Sequence, residues 1–169
     1  KSLTNITFMM DGDLNDHFLK NEKEYRVVPI QGGSQAKSWQ STLEYVNNNN
    51  FSDDQIIYFL EDDYLHRNNW NKILLEGFDL NVDYISLYDH LDKYKLPLYQ
   101  KLQSKILISK SCHWRTVPST TLSFAVKYKT FKKHFNIYKK FNFIDSGKTK
   151  DHEMFLDLLK NGSSLITPM

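Results

Sequence analysis

The sequence predicts an α/β fold with a mostly parallel central sheet flanked by helices. Three observations predict it. Short apolar runs rich in β-branched and aromatic residues recur at Asn5–Met10, Tyr25–Ile30, Ile56–Leu60 and Asp83–Tyr88, and each is bounded by polar or turn-forming residues, as buried strands are. Stretches of helical spacing stand between them. Strands alternating with helices favour parallel pairing, because each helix carries the chain back across the sheet. With 169 residues, 40% apolar and 25% charged, the chain suits a single domain, 1–169, that buries a sizeable core.

In order, the run Asn5–Met10 ends at Asp11-Gly12-Asp13, a turn signal carrying two acids. A short helix is expected over Asp16–Asn21. The strand Tyr25–Ile30 contains Pro29, which favours an edge. Gln31-Gly32-Gly33-Ser34 is a loop. Ser34 caps a helix over Gln35–Asn47, whose Ala36, Trp39, Leu43 and Val46 share one face. After the Asn47–Asn50 tract, the run Ile56–Leu60 stops at Glu61-Asp62-Asp63, and a helix follows from about Asn68 to Phe78. Beyond the strand Asp83–Tyr88, His90–Leu102 has no clean period and reads as an irregular excursion. A short strand is expected at Lys105–Ser109, a polar and aromatic loop at His113–Thr121, a strand at Leu122–Val126 and a helix at Thr130–Tyr138. A helix opening at Asp151-His152-Glu153 runs to about Lys160 and is closed by Gly162, and a last strand covers Ser164–Thr167.

A net charge of +2 makes no electrostatic case for nucleic acid. The charge is uneven, however: acids concentrate before Asp92, while Lys93–Lys150 is basic, a half that suits either solvent or the anionic surface of a membrane. The lone cysteine, Cys112, excludes an internal disulfide and a cysteine metal site, and fits a reducing, cytoplasmic setting. No run approaches the ~20 apolar residues that span a bilayer.

Five constellations carry chemistry. Three carboxylates at the end of a buried strand are costly unless something positive joins them, so Glu61-Asp62-Asp63 points to a divalent cation, with helix capping as the alternative. If strand geometry persists, Glu61 and Asp63 face one way and Asp62 the other. Asp11 either accepts hydrogen bonds from a base or ribose or simply makes a turn. Gly33 and Lys37 belong to a glycine loop leading a helix, which suits phosphate or is a plain turn. Asp151 and Glu153 open a helix, as general base or as dipole-favoured caps. His113-Trp114-Arg115 offers stacking and phosphate-binding groups, or a partly buried Trp.

The order of these motifs resembles the GT-A-fold glycosyltransferases that use nucleotide sugars, especially those like family 2. The acidic turn Met10-Asp11-Gly12, the glycine loop Gly32–Lys37, the DxD-type motif Glu61-Asp62-Asp63, the stretch Thr121–Lys133 and the late acidic motif Lys150-Asp151-His152-Glu153 are each similar to that family's pattern. The resemblance implies a Rossmann-like nucleotide-binding half plus an acceptor half, with one further strand before Lys1. It implies metal-dependent, inverting transfer of a sugar from a nucleoside-diphosphate donor, a UDP-sugar foremost, to a glycan or glycoconjugate hydroxyl. Asp63 then ligates Mn2+ or Mg2+. Asp11, Gly33, Lys37, Glu61 and Asp62 hold the donor, His113, Trp114 and Arg115 the acceptor. Asp151 is the base, with Glu153 second, and the helix start together with Lys148 and Lys150 is expected to keep Asp151 ionised. Clustered acids also suit a metal-dependent phosphoesterase or nucleotidyltransferase, and the same fold can serve as a non-catalytic sugar-binding domain.

Overall fold

The computed structural model describes residues 5–13, 15, 17–21 and 23–169, so Asp16, the expected start of the first short helix, and everything before residue 5 lie outside the description. In chain order the elements are β1 (Thr7–Asp11), a 3-10 turn (Phe18–Asn21), β2 (Arg26–Ile30), α1 (Gln35–Asn48), β3 (Ile56–Phe59), α2 (Trp70–Phe78), β4 (Tyr84–Ile85) and α3 (Asp92–Lys95). A second 3-10 turn (Pro97–Tyr99) leads to β5 (Ile106–Ile108), β6 (His113–Thr116), β7 (Phe124–Lys127), α4 (Tyr128–Lys140), β8 (Asn142–Phe143), β9 (Lys148–Thr149), α5 (Asp151–Lys160) and β10 (Leu165–Pro168). They form two compact units, Lys1–Asn50 with Tyr138–Lys150, and Phe51–Ile137 with Asp151–Met169. The first unit borrows its last segment from far along the chain, so no linker composition marks the division.

In the first unit β1 and β2 pair in parallel, Thr7 opposite Arg26 and Asp11 opposite Ile30. Helix α1 buries the predicted stripe of Ala36, Trp39, Leu43 and Val46. Its N-cap Ser34 accepts a hydrogen bond from Lys37 N through Oγ, satisfying one of the amides a helix start leaves without a partner. The β8–β9 hairpin steadies the same helix end: Ala36 N donates to Gly147 O at 3.2 Å and Asn142 Nδ2 donates to Ala36 O at 2.9 Å.

The second unit holds a six-stranded sheet of order β3-β7-β4-β10-β6-β5. It is mainly antiparallel, which corrects the expected mostly parallel sheet: β4–β10 alone runs parallel, whereas β3–β7, β7–β4, β10–β6 and β6–β5 are antiparallel. Hydrophobic period reports which face a residue takes and carries no record of strand direction. Direction follows from connections, and the four-residue link between β5 and β6 is far too short for a parallel crossover. That hairpin was hidden because β6 carries a single large apolar side chain, so the expected loop at His113–Thr121 is a strand over its first four residues. The strand expected over Asp83–Tyr88 shortens to Tyr84–Ile85.

Trp114 is fully buried in one core cluster of this unit, with Leu74, Phe78, Ile85, Ala125 and Ile166. Helix α2 can approach it because residue 77 is glycine: a Cβ there would lie 2.6 Å from Ile85 Cδ1 and 2.9 Å from Trp114 Cη2. The indole Nε1 donates to Ser109 Oγ at 3.1 Å, which leaves the ring with no unpaired polar atom. Among the described residues no helix is long and apolar enough to cross a membrane.

Candidate active site

Strand β3 ends at buried Phe59. The antiparallel register sets Phe59 opposite Phe124, and this brings Ser123 alongside the chain as it leaves the sheet. Glu61 N donates to Ser123 Oγ at 3.1 Å, and that hydroxyl lies 3.2 Å from Glu61 Oε2. Burial pushes the Glu61 carboxyl above the usual glutamate range; the Ser123 hydroxyl opposes this, and the negative charges of Asp63 and Asp151 add to it. Asp62 and Asp63 form an exposed turn, so the strand alternation does not extend to them. The loop that follows is pinned back by Tyr58, whose hydroxyl sits 3.0 Å from His66 Nε2, and by the His66 and Trp70 rings with centroids 4.7 Å apart. Burial raises the Tyr58 phenol to about 12 and lowers the His66 imidazole, so both are neutral at pH 7.

In the same unit a cavity of about 260 Å3 is walled by the residues leading into β7, by the first residues of α5 and by the 90–99 excursion. Asp151 lines it, and burial is the main influence on its carboxyl, pushing it above the usual aspartate range. The amide of His152, 2.8 Å from Oδ1, pulls the other way. The expected hold of a helix start on this group is therefore outweighed by loss of water. Beside it, His152 Nδ1 lies 2.9 Å from Ser119 Oγ and 3.2 Å from the Tyr99 hydroxyl, and Thr120 Oγ1 donates to Ser86 Oγ at 2.9 Å. Lys93 is buried, 3.1 Å from the Asp92 carboxylate and 4.8 Å above the Tyr99 ring, so its charge is compensated within the wall. His90 is held down chiefly by burial and then by Lys93, against the pull of Asp92, Asp151 and Asp89. The cavity thus presents hydroxyls, two imidazoles and one carboxylate of raised proton affinity.

The other predicted residues divide. Glu153 is exposed and does not line the cavity, which favours Asp151 of the two acids. His113, Trp114 and Arg115 do not line it either. Trp114 is core. Arg115 is buried, with its guanidinium 2.6 Å from Asp89 and 4.6 Å over the Tyr94 ring, an arrangement that anchors the excursion. In the first unit Asp11 organises the glycine loop: Oδ1 accepts from Gly32 N at 3.0 Å, and Oδ2 from Gly33 N at 2.8 Å and from Ser38 Oγ at 3.1 Å. These donors, the Gly33 amide first, hold its carboxyl below the usual range. Gly33 takes a left-handed φ of +70°, and Lys37 is exposed on the first turn of α1. Among the described residues no three His, Cys, Asp or Glu side chains converge on a common point.

Sequence reasoning missed Lys93, Tyr99 and Ser119. Lysine in an aperiodic stretch reads as solvated, and a tyrosine six residues later shows no pattern with it. The run Ser119-Thr120-Thr121 after Pro118 was the available signal, three small hydroxyls in one loop next to a strand. Comparison with family models, with curated proteins and with solved structures found no match.

Proposed function

We propose that the chain is a GT-A-like, metal-dependent inverting glycosyltransferase that moves a hexosyl or N-acetylhexosaminyl group from a nucleoside-diphosphate sugar, a UDP-sugar foremost, to a hydroxyl of a glycan or glycoconjugate. One observation carries the reading: the loop that enters β7 links the two acidic ends, with Thr121 on the wall of the Asp151 cavity and Ser123 against Glu61 after β3. Such an arrangement serves displacement at an anomeric carbon, with a carboxylate for the acceptor proton and, towards the leaving diphosphate, acids that would hold a cation.

In this reading the acceptor hydroxyl enters the Asp151 cavity, where Ser119, Thr120 and His152 offer hydrogen bonds to its neighbouring hydroxyls. Its oxygen attacks the anomeric carbon, the bond to the diphosphate breaks, and the hydroxyl proton passes to Asp151. A carboxylate of raised pKa is the stronger base, so the burial of Asp151 serves this step. A single direct displacement inverts the configuration. The donor set near β3 is all oxygen, with Asp62 and Asp63 at the surface; this fits Mn2+ or Mg2+, which commonly take one or two carboxylates and complete their shell with phosphate and water. Asp63 is the first ligand, and Glu61 and Asp62 reach ribose or bound water. When bound, the cation offsets charge on the leaving diphosphate. The resemblance also assigns Asp11, Gly33 and Lys37 to the donor; they belong to the first unit, where Asp11 holds the loop before α1.

Titration calorimetry tests the reading. UDP is expected to bind only with Mn2+ present, and Asp63→Ala to remove that metal-dependent part. Unchanged Mn2+-dependent binding in Asp63→Ala would take the metal away from this turn.

A further inference from the structure

The excursion between β4 and β5 does more than wall the cavity. Over residues 91–101 it is exposed at nearly every position, and two side chains, Lys93 and Tyr99, fasten it by turning inward. Of the fifteen large hydrophobic side chains exposed among the described residues, five fall between 88 and 98: Tyr88, Leu91, Tyr94, Leu96 and Leu98. Tyr94 is engaged, its hydroxyl donating to Asp89 and its ring lying under Arg115. The three leucines stand clear of the surface, 58%, 47% and 70% exposed. Leaving side chains of this kind in water is unfavourable, and a cluster of them marks a surface that something covers.

The charges around these leucines indicate what covers them. Both acids of the excursion are engaged, Asp92 by Lys93 and Asp89 by Arg115. Lys95, Lys101 and Lys105 are exposed. The free charge of the segment is therefore positive throughout, and it is interleaved with protruding aliphatic side chains. Lysine stems can lie along an apolar phase while their ammonium groups stay in water. Elements that rest in the headgroup layer of an anionic bilayer combine the same two features, apolar side chains directed inward and lysines at the level of the lipid charge.

We infer that the excursion 88–105 docks on an anionic lipid surface, inserting Leu91, Leu96 and Leu98 among the headgroups and setting Lys95, Lys101 and Lys105 against lipid phosphate or carboxylate. The inference does not rest on sugar transfer, and it is tested with no substrate present. If both readings hold, the mouth of the Asp151 cavity opens at the lipid surface, because Leu96 and Leu98 also line that cavity.

The experiment is co-sedimentation of the full chain with vesicles of phosphatidylcholine alone and of phosphatidylcholine mixed with phosphatidylglycerol. Binding is expected to the mixed vesicles only, and to weaken with added salt. Lysines near such a surface are worth roughly five-fold each, so replacing Lys95, Lys101 and Lys105 by Gln is expected to cut affinity at least about ten-fold. Replacing Leu91, Leu96 and Leu98 by Ser, all exposed and so compatible with folding, is expected to do the same. Leu96→Trp reports insertion directly, its added emission shifting to the blue on mixed vesicles. No binding to either vesicle, equal binding by all variants, or an unshifted Leu96→Trp spectrum would overturn the inference. Lipid-free self-association that the leucine replacements abolish would overturn it too, assigning the patch to a second copy of the chain.

Discussion

Asp11 and Asp151 are both aspartates beside a helix start, and the sequence offers both as candidate site residues. Their surroundings differ in kind. In the first unit Asp11 accepts two backbone amides and a hydroxyl, and the donors hold its carboxyl low. In the second unit Asp151 is half-buried beside a cavity, and this partial burial holds its carboxyl high. A carboxylate surrounded by donors is stabilised as an anion and is a poor base; its role is to shape a loop. A carboxylate short of water gains by taking a proton even where backbone amides oppose it, as the His152 amide does here. The contrast separates an acid that organises a loop from one that takes a proton more readily, a distinction the letters Asp-Gly and Asp-His-Glu do not convey.

The largest effect expected to sharpen this contrast is on turnover. General-base catalysis contributes about 10²–10⁴-fold. Asp151→Asn is expected to slow single-turnover sugar transfer by about that range while donor affinity stays nearly constant. Glu153→Gln, at an exposed position, is expected to leave the rate close to wild type. A large loss in Glu153→Gln with a small one in Asp151→Asn would move the base two residues along.

The next effect is on stability and concerns the loop that Asp11 holds. Gly32 is buried, and a Cβ on it would fall 2.1 Å from Ser38 Oγ, 2.4 Å from Asp11 Oδ2 and 2.8 Å from Asp11 Cγ. Gly32→Ala must therefore shift the Ser38 hydroxyl and the Asp11 carboxylate that it bonds. Crowding of this kind typically costs about 1–3 kcal/mol. Urea unfolding is expected to show a loss in that range for Gly32→Ala and almost none for Lys37→Ala, exposed on the next helix. Equal stability of Gly32→Ala and wild type would mean that the loop does not depend on Asp11.

How much of this was legible in the sequence depended on the kind of information each feature carries. Helix α1 was readable from Ala36, Trp39, Leu43 and Val46, because an amphipathic stripe repeats at the helical period. Strand β3 was readable from an apolar run ended by acids. The direction of the strands was not, because pairing sense is decided by connections, and the β5–β6 turn could not be counted while β6 looked like a loop. Trp114 beside His113 and Arg115 looked like a ligand-binding cluster, yet in a strand neighbours alternate in direction, and Trp114 packs into a core cluster of its unit. Of the candidate site, Asp151 was readable as an acid at a helix start, while the burial that raises its pKa was not. Lys93, Tyr99 and Ser119 line the same cavity as Asp151, and their convergence there is a property of the fold.

The smallest expected effect separates the two aspartates most directly, through the sign of their coupling to pH. Asp11 has a folded pKa below its unfolded value, so the stability it contributes is present above the unfolded pKa and is lost as pH falls through the depressed folded one. Asp151 has a folded pKa above its unfolded value. Between the two values its native state binds the extra proton, so the protein loses stability as pH rises across that window, and the penalty persists at neutral pH. Asparagine does not titrate. Relative to wild type at neutral pH, Asp11→Asn is therefore expected to melt lower and Asp151→Asn higher. Both differences should shrink on acidification, that of Asp151→Asn vanishing below the ordinary aspartate pKa and that of Asp11→Asn persisting to lower pH. Thermal melts of the three proteins from neutral pH downward measure this. Differences of the same sign would mean that the two carboxylates sit in equivalent environments, and that burial of Asp151 does not prepare it to take a proton.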